Sequence, residues 1–562
     1  MRILASKRRE RGPLSNTCGP PWFSAISMST TKTVTKAAGI MMAAIFLSRL
    51  LGLVREMVIA NQFGAGGLVS AYGVAFNLPD LLYFLLSSGA LSSAFIPVFT
   101  EYWTKGETDK AWEVFSIIGT LIFLVLAVLI IAFEIFAPQL VPLVAPGFAR
   151  QHRDLLAITI YLTRIVLPAQ MFFFIGGLII GTLYSRQHFV APALGPIIYN
   201  IGIISGGVFF ASKLGISSLM WGALVGAFIG NCLLQILAVR RLGVTFKPSL
   251  NLSHPGVKKV GKLALPVLLG LSLPYVNVIF NRWFATYLEE GAVAALNYAN
   301  RLMQMPLGVF AQASAVALFP TLAEQAARKE MDQLRASVNF GLRGIFLLTV
   351  PSSVLMIVLA TPIVRMLFQH GQFTSADAPY VGYALAMYSI GIAAWSGQAI
   401  VTRGFYAMQD TVVPVVVGTI MTFVFIPMNW LFMRPLGHGG LALATSVAAI
   451  LNMVILLELL RRRLGGLNGG LIMRSFAKVC ASSAVAGGVA WMVFHAVSRV
   501  INPNTPMGSL VGVVASLGLA LLAYISMIVA LRVDEAREVW RILSARLRRG
   551  KGEAHLPGAE GL

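Results

Sequence analysis

Arginines stranded inside apolar runs are the residues of this 562-residue chain whose type and spacing could do chemistry. Arg49 and Arg55 stand in Ser48-Arg49-Leu50-Leu51-Gly52-Leu53-Val54-Arg55-Glu56, and Arg301 follows Asn300 in a second apolar run. An arginine at mid-bilayer costs on the order of 3 kcal/mol even on lenient insertion scales, so it needs a partner or a water-filled cavity. Its planar fork of donors matches phosphate oxygens two at a time. Several guanidiniums in a cavity poor in acids imply an anionic substrate. Along a helix, six residues set Arg49 and Arg55 about 120° apart, on adjoining faces that can border one cavity. Structural readings compete with this one. Arg49 could snorkel or pair with Glu56, and Arg55 beside Glu56 could mark the outer end of a short helix. Arg282 and Arg403 lie nearer run ends and read as interfacial anchors.

The elements that hold these arginines follow from composition. Hydrophobic residues make up 57% of the chain, charged residues only 12%, and the mean hydropathy is +0.78. Soluble domains carry about 25% charged residues. The balance excludes soluble enzymes, coiled coils, disordered scaffolds and disulfide-stapled domains. Cys18, Cys232 and Cys480 lack ligand spacing, and no HExxH, GxSxG or GxxxxGK[ST] motif occurs, so no catalytic role is expected. Runs of about 20 apolar residues can span a bilayer. There are fourteen, near 37–62, 69–100, 111–137, 154–184, 190–212, 217–239, 261–287, 292–323, 335–362, 378–406, 412–433, 438–460, 470–498 and 506–532. Lipid leaves the backbone no other partner, so the runs are expected to be helices, and the chain an all-α polytopic membrane protein with 14 transmembrane helices. Pro79, Pro168, Pro266, Pro274, Pro306 and Pro427 fall inside runs and read as kinks or as hinges near a substrate path.

The net charge of +22 takes its meaning from placement. With residues at span ends counted to the adjoining loop, 31 of the 44 Lys+Arg fall on the side that carries both termini and 6 on the other. That bias puts both termini in the cytoplasm. The basic excess therefore serves topology and contact with membrane lipids, and no nucleic-acid partner is expected.

The chain also repeats itself. Thr182-Leu-Tyr184-Ser-Arg-Gln187-His-Phe-Val190-Ala-Pro192 matches Gly404-Phe-Tyr406-Ala-Met-Gln409-Asp-Thr-Val412-Val-Pro414 at an offset of 222. The same offset carries Arg240-Arg241-Leu242-Gly243 onto Arg462-Arg463-Leu464-Gly465, and Phe95-Ile-Pro97 falls on Leu318-Phe-Pro320 at 223. Two lobes of six helices, related by a pseudo-two-fold along the membrane normal, are the expected result. The organisation reads as a disordered extension (1–36, with Met28 an alternative start), a first lobe (37–243), a basic linker (244–260), a second lobe (261–465), two further helices (466–532) and a cytoplasmic tail (533–562). A site between two such lobes is transporter architecture.

Beyond the arginine stretch and Phe63-Gly64-Ala65-Gly66, the segments Phe76-Asn77-Leu78-Pro79, Ala94-Phe95-Ile96-Pro97-Val98-Phe99, Asn297-Tyr298-Ala299-Asn300-Arg301-Leu302, Leu367 to Thr374 and Gly404 to Pro414 resemble the MurJ/MviN family. The resemblance covers roughly residues 37–530. It implies a bacterial cytoplasmic-membrane flippase for lipid II, the undecaprenyl-pyrophosphate-linked disaccharide-peptide of cell wall synthesis, acting as a monomer. The same superfamily makes a flippase for another polyprenyl-linked glycan, or a multidrug antiporter, the alternative. The resemblance implies cavity arginines on the first, second and eighth helices. Arg49, Arg55 and Arg301 match on the first and eighth; Tyr83 stands where the second-helix arginine is common, and Asn300 where an acid is common. It also implies, in some members, a sodium site on acids of the seventh and eleventh helices. Asn281 and Asn429 stand nearest, with Thr445 on the twelfth, so no cofactor is expected and membrane potential is the expected drive. The undecaprenyl tail would follow a groove of the last two helices.

Overall fold

The computed structural model describes the backbone of residues 21–86 and 90–536, which form helices and turns with no strand among them. The first half runs α1 (Pro21–Phe63), α2 (Gly67–Ala75), α3 (Asn77–Leu86), α4 (Ala90–Thr104), α5 (Thr108–Val144), α6 (Pro146–Gln151), α7 (Arg153–Val166), α8 (Ala169–Ser185), α9 (Val190–Leu214), α10 (Ser217–Ala227), a π-helical stretch (Phe228–Leu233) and α11 (Leu234–Arg240). The second half runs α12 (Pro255–Ala285), α13 (Ala292–Pro306), a π-helical stretch (Leu307–Ala311), α14 (Gln312–Ala327), α15 (Met331–Val358), α16 (Ala360–Phe368), α17 (Asp377–Ser389), α18 (Ile392–Ala407) and α19 (Val412–Arg463). Then come α20 (Gly469–Ser498) and α21 (Pro506–Ala530).

Each predicted run falls on helix, the second except at residues 87–89, which lie outside the described residues. Ten helical segments among the described residues are long and apolar enough to cross a membrane. The protein is an all-helical polytopic membrane protein. Several runs are not single rods. The second breaks at Phe76, between α2 and α3, the fourth breaks at Pro168, and the tenth breaks before Ile392. Pro306 ends α13 where the π stretch begins. Proline cannot donate to the helical ladder and its ring crowds the carbonyl four residues back, which favours such a bulge. At the N-terminus one expectation is corrected. Residues 21–36 continue α1 rather than forming a disordered extension. Pro21 suits a first helical turn, and neither proline nor glycine follows before Gly39. Residues 1–20 and 537–562 of the expected extension and tail lie outside the described residues.

The repeat is written in the backbone. Gln187 and Gln409, 222 positions apart, both have φ of 59°. Gly243 and Gly465 pair at 72° and 70°, Gly215 and Gly437 both at 56°, and Gly106 and Lys329, at offset 223, at 78° and 58°. Positive φ is uncommon outside glycine, so four matched turns, three at 222 and one at 223, reflect one duplicated unit. Gly437 also explains why the eleventh and twelfth runs lie in one helix: α19 is two helices joined through a single non-helical residue, the counterpart of Gly215 between α9 and α10.

The core reaches across both halves. One buried cluster combines α1, α2, α7 and α10 of the first lobe with α13, α16 and α17 of the second. It lies at the face opposite both ends of the described chain, the distal face. There Gln372 N–H donates to the Asn61 carbonyl (2.9 Å), Tyr298 O–H to the Gly64 carbonyl (2.9 Å), and Ala294 N–H to Ser70 Oγ (3.2 Å). Arg282, placed by the sequence as an interfacial anchor, instead donates across the lobes to Asn77 Oδ1 (2.8 Å). On the proximal face, which carries the chain ends, α12 packs on α4, and Glu101 of α4 binds both Lys105 and Lys259. Those two lysines hold its carboxyl down at about 2.

Candidate functional site

Arg49 and Arg301 meet at the seam between the lobes, each resting on a glycine of the opposite helix. The Arg49 guanidinium of α1 occupies the space a Cβ would need on Gly308, in the π stretch after α13. The Arg301 guanidinium of α13 occupies the same space at Gly52 of α1. Arg49 and Gly52 share one face of α1, and Arg301 and Gly308 share the facing side of the antiparallel span. A side chain at either glycine would have to displace the guanidinium seated there. Among the described residues neither arginine has a carboxylate within ion-pair distance.

Adjacent cavities open from this seam. One of about 490 Å³ is lined by Arg49, Asn300, Gln304, Gln312, Gln398 and Arg403, among others. A second, of about 270 Å³, holds both Arg49 and Arg301 with Phe46, Leu50 and Gln304. A third, of about 440 Å³, shares Trp395, Gln398, Thr402 and Tyr406 with the first and extends along α19. None of the residues lining these three is acidic. Together the linings offer three arginines, Arg49, Arg301 and Arg403, with amides, hydroxyls and aromatic edges, which suits phosphate and sugar groups rather than a cation.

Arg55 is placed differently. Six residues beyond Arg49, it turns to α9, donating to Asn200 Oδ1 (3.3 Å) and pairing with Glu56 Oε1 (2.6 Å). It lines neither cavity that holds Arg49, though it remains within electrostatic reach of Arg301. Tyr83 packs edge-on against Phe84 and Phe173 inside the first lobe. Asn300 lines the seam cavity and accepts from Gln304 Nε2 (2.6 Å). Asn281 donates to Thr445 Oγ1 (3.1 Å), and Asn281, Asn300, Tyr388 and Thr445 line one small cavity. Asn429, fully buried, turns back to its own helix, donating to the Phe425 carbonyl (3.1 Å), and its Oδ1 has no partner among the described residues. The structure thus gathers Asn281, Asn300 and Thr445 but leaves Asn429 apart. Among the described residues no three His, Cys, Asp or Glu gather as a metal site.

The family model described as lipid II flippase MurJ matches residues 59–508. The chain belongs to the MurJ family. Lipid II flippase MurJ of Burkholderia cenocepacia is 33% identical over 425 residues, 74% of this chain and 82% of that protein. A probable lipid II flippase MurJ of Synechocystis sp. is 27% identical over 516 residues, 88% of this chain and 96% of its own length. The solved structure of a lipid II flippase MurJ in an inward closed conformation superposes with a TM-score of 0.73 over 88% of this chain and 98% of the other, at 24% identity. An inward-facing multidrug resistance MATE family transporter of the MOP superfamily gives 0.62 over 77% and 99%, at 13% identity. Both likenesses speak to the fold.

Within this MurJ-family chain, sequence reasoning missed several lining residues. Arg403, expected as an anchor, lines the seam cavity and lies over the Phe319 ring at 5.3 Å. Trp395, Gln398, Thr402 and Tyr406 recur at three- and four-residue spacing on α18, a polar stripe inside an apolar run that could have been read as a cavity face. Gly52 and Gly308 carry no such signal, because a seat for a partner's side chain is defined only once the helices meet.

Proposed function

We propose that this chain moves lipid II from the cytoplasmic to the outer leaflet of a bacterial cytoplasmic membrane by alternating access of its two lobes. The observation that carries the reading is the pair Arg49 and Arg301, cations without a carboxylate facing each other across the lobe seam at the edge of an acid-free cavity. Their forks would hold the pyrophosphate, while the amides of Asn300, Gln304, Gln312 and Gln398 would meet the sugar-peptide head. In the orientation given by the positive-inside bias, both termini are cytoplasmic and the sealed distal face is the outer one, so the cavity belongs to the inward side. The undecaprenyl tail stays in lipid along α20 and α21. The chain acts as a monomer and without a cofactor. Sodium coupling finds little support in Asn281 and Thr445, neutral groups that bind each other, and membrane potential is the drive that remains.

The relatives named as lipid II flippases support the same reading. Drug-cation export would need carboxylates in the cavity, and none lines it. The test is depletion of the protein with lipid II scored at the outer leaflet. Exposure should fall on depletion and return with the wild-type chain. Undiminished exposure after depletion would overturn the assignment.

A further inference from the structure

The first lobe holds an apolar cavity of about 630 Å³ that this transport scheme does not use. α8 contributes Phe174 and Leu178, α5 contributes Phe115 and Phe123, and α11 contributes Ile236 and Val239. Every lining residue belongs to the first lobe or the linker, so the cavity stands apart from the seam and its arginines. It sits in the half of the lobe beside the chain ends, where α5 begins and α8 and α11 finish. Phe123 and Leu124 at its edge are 46% and 44% exposed, apolar surface that lipid would cover.

Two features distinguish it from an ordinary crevice. The linker closes one side as a strap pinned to α5: Lys247 N–H donates to Ser116 Oγ (3.1 Å), Ser249 N–H to Thr120 Oγ1 (3.4 Å), and Phe246 sets its ring edge-on to Phe115. The other feature is charge. Arg240, exposed at the end of α11, is the one charged residue in the lining, and among the described residues it has no ion-pair partner. An apolar slot with a cation at its rim, at the depth of one leaflet, is complementary to an acyl chain carrying an anionic head.

We propose that this cavity holds an acyl chain of an anionic glycerophospholipid from the leaflet beside the chain ends, with its phosphate at Arg240, and that the lipid buttresses the strap joining the lobes. The test uses the full chain in nanodiscs of phosphatidylglycerol and phosphatidylcholine in equal amounts, with co-retained lipid counted by native mass spectrometry. The wild-type chain should retain phosphatidylglycerol several-fold over phosphatidylcholine. Arg240→Gln, a surface change that leaves the fold intact, should bring the two to parity. Ile175→Trp, which fills the slot, should lower retention of both. No preference in the wild type, or wild-type retention in both variants, would overturn the proposal. So would displacement of the retained lipid by undecaprenyl phosphate, which would give the slot to a polyprenyl tail. Lipid counting does not depend on flippase activity, so the outcome is separate from that of the transport reading.

Discussion

Two guanidiniums facing one seam without a carboxylate raise the energy of the empty site, since like charges drawn out of water repel more strongly. An arriving pyrophosphate relieves that repulsion. Removing either fork should therefore weaken transport more than folding. A charged hydrogen bond contributes about 1.5–3 kcal/mol, so Arg49→Ala or Arg301→Ala should lower the flipping rate by roughly tenfold to a hundredfold at unchanged protein level. The lysine variants should fall between, keeping charge but losing the bidentate fork. Outer-leaflet lipid II normalised to protein is the measurement. Arg55 should behave in the opposite manner, because its partners Glu56 and Asn200 lie within its own lobe. Arg55→Gln leaves Glu56 unpaired and should lower the melting temperature in detergent, costing about 1–3 kcal/mol, whereas Arg49→Ala should leave it in place. Gly308→Leu offers a further check. A side chain there evicts the Arg49 guanidinium, and loss of transport with normal accumulation is the expected outcome.

Among elements, the break inside α19 gives the sharpest stability prediction. Gly437 adopts φ 56° and ψ −135°, and Gly215 adopts φ 56° and ψ −145°. At either glycine the space a Cβ would take is open, with no neighbouring atom within 4 Å. Any cost of Gly215→Ala or Gly437→Ala is therefore backbone strain, about 1–3 kcal/mol, and the two variants should lose stability equally in thermal unfolding. Unequal losses would contradict the duplication. The sequence made the helices legible because each run had to satisfy its backbone internally, and it made the repeat legible through Gln187/Gln409 and Arg240/Arg462. The breaks were only partly readable. Pro168, Pro306 and Pro79 announce theirs, Pro79 because its ring crowds the Ala75 carbonyl four residues back, whereas the break before Ile392 has no proline beside it. The site divides likewise. Arg49 and Arg301 stand out because charge is costly in lipid, but the direction Arg55 takes depends on Asn200, 145 residues away, and no local pattern encodes that.

At the scale of the whole molecule, the distal face is held shut by main-chain contacts between lobes. Asn61 of α1 and Gln372, in the turn between α16 and α17, are joined through a 2.9 Å backbone hydrogen bond. Cysteines at those two positions, in a background free of Cys18, Cys232 and Cys480, should form an oxidative cross-link that stops transport and is reversed by reductant. Transport that continues through the cross-link would mean that the distal face need not part. The strap offers a last consequence. Because Thr245 to Ser249 is fastened to α5, the connection between halves that is free to be cut lies just after it, around Asn251. A chain severed there would leave each duplicated unit whole, the strap staying with the first. Co-produced as two polypeptides, the halves should find each other through the seam and the distal core, behaving as an assembly of two unequal subunits that evolution has tied together.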